Sequence, residues 1–178
     1  MHFVALLLAV AIPTTFPAHE EKCAAAAGVS LAPVKGREHD VKRASWVCPV
    51  IVRGQVVDVE AEREAPYPTR LVVHVEATEK GSIPFRDIRV LLESDATTVL
   101  VEEPLLKMGD EVLLFLATDS ETKLAPGEYR PCLCAYRVSE DKLVSVIPQH
   151  SEEAPSKATL EAIRKTVRAQ GECRPSPN

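Results

Sequence analysis

Between Trp46 and Ile147 the chain is cut by prolines and glycines into short apolar segments, most of which alternate apolar with polar side chains. A two-residue period is the period of a strand with one wet face, and it is incompatible with a helical bundle. Val50 to Glu60 is dense in β-branched residues and predicts a long first strand. Gly54 in its middle breaks the alternation, which predicts a bulge or bend that lets one strand serve two sheet faces. Beyond Pro66 and Pro68, Leu71, Val73, Val75 and Ala77 alternate against His74, Glu76 and Thr78 as a second strand, ended by Lys80-Gly81. Ile88, Val90 and Leu92 mark a third, and Val99-Leu100-Val101 is a shorter extended piece.

Gly109-Asp110 supplies turn chemistry before Val112 to Leu116, whose unbroken apolar run requires burial on both faces and so predicts a central strand. Tyr129 to Val138 and Leu143 to Ile147 read as a closing pair across the polar turn Ser139 to Lys142. Five or six short strands leave edges that a closed barrel satisfies. The expectation is therefore an all-β barrel domain over residues 46–150, followed by one helix over 156–170. In that helix Ser156 is the N-cap and Leu160, Ile163 and Val167 form the apolar stripe. Glu161, Arg164, Lys165 and Arg168 make its solvated face, Gly171 stops it, and residues 171–178 are expected to be a disordered tail.

The N-terminal part reads differently. Phe3 to Ile12 carries no charge and is too short to span a bilayer, which predicts a signal peptide over residues 1–18. Cleavage after Ala18 puts Phe16 three residues before the cut, whereas Ala24 to Ala27 offers smaller side chains behind a charged stretch. Residues 19–45 show no sustained periodicity and read as a mobile lead-in. No later segment approaches the roughly 18 uninterrupted apolar residues of a spanning helix, so no membrane span is expected.

Five cysteines follow the leader: Cys23, Cys48, Cys132, Cys134 and Cys173. In an exported protein such residues pair, and an odd count leaves one thiol over, open to a disulfide-linked dimer as well as a monomer. Cys132 and Cys134 share a face if they lie on a strand, so each is expected to bond outward to a different partner. A bridge from Cys48 to either closes a long loop, worth roughly 4 kcal/mol in the chain-entropy model. A metal at Cys132-Leu133-Cys134 would need a second ligand pair, and the histidines His2, His19, His39, His74 and His150 form no spaced pair. No metal and no cofactor are expected.

The order of these features resembles the secreted bacterial relatives of the OB-fold domain shared by netrin modules and the tissue inhibitors of metalloproteinases. The resemblance covers residues 46–147 and rests on Val50 to Val56, the corner Glu79-Lys80-Gly81, the block Met108 to Leu116, and Tyr129 with Cys132. It implies a five-stranded Greek-key OB-fold barrel. In the metalloproteinase inhibitors a mature N-terminal cysteine meets the target's zinc, so inhibition here would require Cys23 to become the first residue by cleavage after Lys22.

A net charge of −5 and an aromatic content of 4% do not suit nucleic-acid binding, which needs a basic groove with stacking rings. No nucleophile with its base, paired carboxylates or open metal site is recognisable, so no enzyme is expected. His74 and Glu76 on one strand face form a cross-strand charge contact more readily than an acid-base pair. Trp46, beside Cys48, is expected to pack over a disulfide. Tyr67, stiffened between Pro66 and Pro68, is the candidate contact residue for an unknown protein partner. The leading expectation is an exported, non-enzymatic binding or structural module. The alternatives are a protease inhibitor and a thiol redox enzyme using Cys132 and Cys134.

Overall fold

Close backbone approach at Gly54 shapes the first strand and, with it, the sheet. The computed structural model describes residues 16–31, 41–61, 67–93, 104–118, 124–147 and 153–173. Strand β1 (Val50–Ala61) pairs antiparallel with β2 (Thr69–Lys80) from Ile51 to Ala61. Its first half, Val50 to Gln55, pairs on the other edge with β4 (Glu111–Ala117). Register on the β2 side slips between Arg53 and Gly54, where the bulge was expected, and again at Ile51/Val52 and Val56/Asp58. A Cβ at Gly54 would run into the carbonyl oxygen of His74, so only glycine lets the two strands approach here.

The remaining strands are β3 (Asp87–Leu92), β5 (Glu128–Ser139), β6 (Lys142–Ser145) and β7 (Glu153–Pro155). They form one seven-stranded sheet in the order β3-β2-β1-β4-β5-β6-β7, with every neighbouring pair antiparallel. In addition β3 pairs in parallel with β5 through Arg89↔Glu128 and Val90↔Tyr129. The β5–β6 turn is the polar one expected, with Glu140 at φ 52°. Strand β7 was not foreseen, because three residues ending in proline carry no readable alternation.

β4 is central and buried on both faces, as its sequence requires. Val112, Leu114 and Leu116 enter a core with Val52, Val56, Leu71, Val73, Ile88 and Val90, while Leu113 and Phe115 point into a second cluster with Ile51, Tyr136 and Leu143. Helix α3 (Ser156–Cys173) covers that second cluster with Ile163, fully buried, and with Leu160 and Val167. The stripe expected from spacing is thus the face that packs.

The lead-in departs from expectation. Ala18–Ala26 forms α1 and Val41–Val47 forms α2, and Ala24, Val29 and Leu31 pack with Trp46 in a third cluster. Neither helix shows a legible period, because α2 is only two turns long and α1 is mostly alanine and charge. Tertiary contact, not local pattern, stabilises them. Gly171 likewise does not end α3, which runs two residues further to Cys173. Residues 1–15, the extended piece Val99-Leu100-Val101 and the tail from 174 onward lie outside the described residues. No helix among the described residues is long and apolar enough to cross a membrane.

Two glycine substitutions separate close packing from chain entropy. Gly54→Ala is expected to cost about 3 kcal/mol through overpacking against the His74 carbonyl. Gly171→Ala meets open space within a helix and should stabilise by roughly 0.5–1 kcal/mol. Urea denaturation of both variants checks the pair.

Candidate functional site

The C-terminal carbonyls of α2 have no helical partners and carry the negative end of that helix, so they need donors. Lys80 Nζ supplies two hydrogen bonds, to the carbonyl oxygens of Ser45 (2.8 Å) and Trp46 (2.9 Å). Gln170 Nε2 on α3 donates to the same Trp46 oxygen at 2.8 Å. The lysine reaches them because Gly81, at φ +81°, turns the chain sharply after β2; a Cβ there would lie 2.7 Å from the Pro49 carbonyl oxygen. The Lys80-Gly81 corner therefore docks the helical layer onto the sheet.

Trp46 is 2% exposed, and its indole Nε1 donates to Glu20 Oε1 of α1 at 3.2 Å. Its disulfide neighbour is the one containing Cys23, which packs against the same cluster, and not that of adjacent Cys48. Buried Arg43 ties α2 to the segment after α1 by donating from Nε to the Leu31 carbonyl at 3.2 Å. Between α1, α2 and α3 lies a cavity of about 300 Å³ lined by Pro17, His19, Glu20, Cys23, Trp46, Gln170 and Cys173.

Two disulfides pin this layer. Cys48, just after α2, bonds Cys132 on β5, and Cys23 on α1 bonds Cys173 at the end of α3; the Cα atoms are 6.1 Å apart in each. Cys132 and Cys134 do share a face and belong to the same cluster. Only Cys132 bonds outward, however: Cys134 keeps its thiol and is 1% exposed, because the core around Phe115 and Ile163 encloses it. Cys132 is thus bonded to Cys48 and not to its neighbour Cys134.

The charged centre of the layer is Glu79 on β2, whose side chain is only 6% exposed. Arg164 of α3 binds it with both Nε (2.8 Å) and Nη2 (3.0 Å), and Arg53 of β1 donates from Nε at 2.9 Å. The hydrogen bonds from Arg164 hold the Glu79 carboxyl below its ordinary value of 4.5; burial works against them, and Arg53 adds to the lowering. The same contact raises the pKa of Arg164. Arg164 lies on the solvated face of α3 as expected, 57% exposed, and from there it also anchors the helix to the sheet. Sequence held no sign of this, since Glu79 and Arg164 are 85 residues apart.

Elsewhere, His74 Nδ1 lies 2.8 Å from Asp87 Oδ1, its register partner on β3, so the expected cross-strand contact forms with Asp87. Tyr67 is half-buried beneath Arg130, whose guanidinium carbon is 5.2 Å from the ring centroid and which also donates to Glu93. Val57, Val59, Phe85, Leu105 and Met108 are the exposed large apolar side chains among the described residues. Compared with known proteins, the chain matches no family model, and no curated protein matches it.

Because the folded-state pKa of Glu79 is depressed, its contribution is complete above the ordinary value of 4.5 and is lost as pH falls through the lowered one. Stability should therefore drop on acidification below about pH 4.5, and this part of the drop should vanish in Glu79→Gln. At neutral pH that variant should lose about 1–2 kcal/mol, less than a fully buried ionic contact, since Arg164 is 57% exposed. Chemical denaturation of both proteins between pH 3 and pH 7 measures each term.

Proposed function

We propose that this chain is an exported, non-enzymatic binding or structural module built on a five-stranded Greek-key barrel of the OB type. The observation that carries the reading is the pair of disulfides, which close over separations of 150 and 84 residues. Bridges of that kind persist where the surroundings are oxidising, and the apolar leader Phe3 to Ile12 agrees with export. The barrel reading is supported by the circuit of pairings β1–β2–β3–β5–β4–β1, in which the parallel β3–β5 contact joins the two ends. The resemblance to netrin-type and inhibitor domains is supported by the work that Lys80 and Gly81 do at their corner. Inhibition through a free N-terminal cysteine is less well supported, because Cys23 lies inside α1 and is bonded to Cys173.

In this reading the partner is a protein, and Tyr67, half-buried and held beneath Arg130, offers it a stiff aromatic contact. Intact mass of the natively produced protein, with and without reduction, is the test. The expected product is recovered outside the cytoplasm, lacks the leader, and gains two hydrogens for each of two bridges on reduction. A cytoplasmic product that retains Phe3 to Ile12 and has every cysteine reduced would sink the proposal. Partners cross-linked to the exported protein should be lost from Tyr67→Ala while its thermal stability is kept.

A further inference from the structure

The cavity between α1 and α3 gathers three side chains whose grouping the sequence hides. His19 and Cys23 are four residues apart on α1 and so share one helix face. Cys173, the last residue of α3, meets them from across the cavity. His19 Nε2 lies 3.8 Å from Cys23 Sγ and 3.2 Å from the Cys173 carbonyl oxygen. The three potential ligand atoms lie within 4.8 Å of one another. Two thiolates and an imidazole are the donor set that zinc takes, with a fourth position left to solvent or substrate.

We propose that His19, Cys23 and Cys173 form a redox-gated zinc site, closed while the bridge stands and assembled when a dithiol reduces it. The dithiol gives two electrons and two protons to the Cys23–Cys173 bond and leaves as its own cyclic disulfide. Zn²⁺ then displaces one proton from each thiol, while neutral His19 carries its proton on Nδ1 and presents Nε2 to the metal.

This bridge suits the role better than the other. Both its cysteines are half-buried beside the open cavity, whereas Cys48 is fully buried, and accessible disulfides are the ones that exchange. The C-terminal end of α3 presents partial negative charge at Cys173, and no basic side chain occupies its last turn, so a cation is favoured there. The volume of about 300 Å³ leaves space for a fourth ligand. The proposal stands apart from the function proposed above, since it holds whatever partner the chain binds.

The test uses the full chain, reduced mildly with a dithiol, freed of reductant without oxygen, and titrated with Zn²⁺. Alkylation and peptide mass must show Cys23–Cys173 open and Cys48–Cys132 intact. One Zn²⁺ per reduced chain and none per oxidised chain is expected, and Co²⁺ in its place should give thiolate-to-metal absorption. His19→Ala, on an exposed position of α1, should weaken zinc binding by more than the roughly 10- to 100-fold that losing a supporting hydrogen-bond partner costs, with the thermal transition unchanged. The proposal is overturned if the reduced chain takes no zinc, if His19→Ala binds it as tightly, or if Cys48–Cys132 opens first.

Discussion

Strand β4 leaves neither of its faces to water: Val112, Leu114 and Leu116 enter one core and Leu113 and Phe115 the other, all essentially unexposed. A sheet with a strand of this kind needs cover on both sides. On one side residues of β1 to β5 supply it among themselves, with β3 also paired to β5. On the other they cannot, and the helical layer is the consequence. Ile163 of α3 and Ala44 of α2 complete the second cluster, and the remaining contacts of the layer hold those two helices in place.

The holding is done by different kinds of interaction at different points. Cys48–Cys132 ties the end of α2 to β5, and Cys23–Cys173 ties α1 to the end of α3. Lys80 and Gln170 donate to the Ser45 and Trp46 carbonyls near the C-terminal end of α2, which fixes that end against the sheet and α3. Glu79 receives Arg53 from within the sheet and Arg164 from α3, which places one shielded carboxylate at the junction of the two layers. Covalent links limit how far the layer can separate from the sheet, while the polar contacts set its orientation. A cavity is left where α1, α2 and α3 meet, rimmed by the more accessible of the two bridges.

How the cysteines divide follows from the same geometry. Alternation on β5 sends Cys132 and Cys134 to one face, but only Cys132 lies opposite a partner at the end of α2. Cys134, two residues on, meets the apolar interior and behaves as a small buried side chain. An odd count thus resolves by position along one strand.

Much of the sheet was legible in the residues themselves. The two-residue period marked β2 and β3, β-branched density marked β1, Gly54 marked its bulge, the polar turn marked the β5–β6 hairpin, and the unbroken run of β4 marked the centre, because strand burial is written locally in side-chain order. The apolar stripe of α3 was legible for the same reason. The candidate site was not. His19, Cys23, Trp46 and Cys173 come from a stretch without a period and from the far end of the chain, and Glu79 finds Arg164 across 85 residues. α3 continues past Gly171 to Cys173, where it is bonded to Cys23. Sequence by itself determined the longer strands of the sheet and which faces they bury. Tertiary structure alone decided which cysteines pair and which charges meet, because those depend on distances between segments that no local pattern encodes.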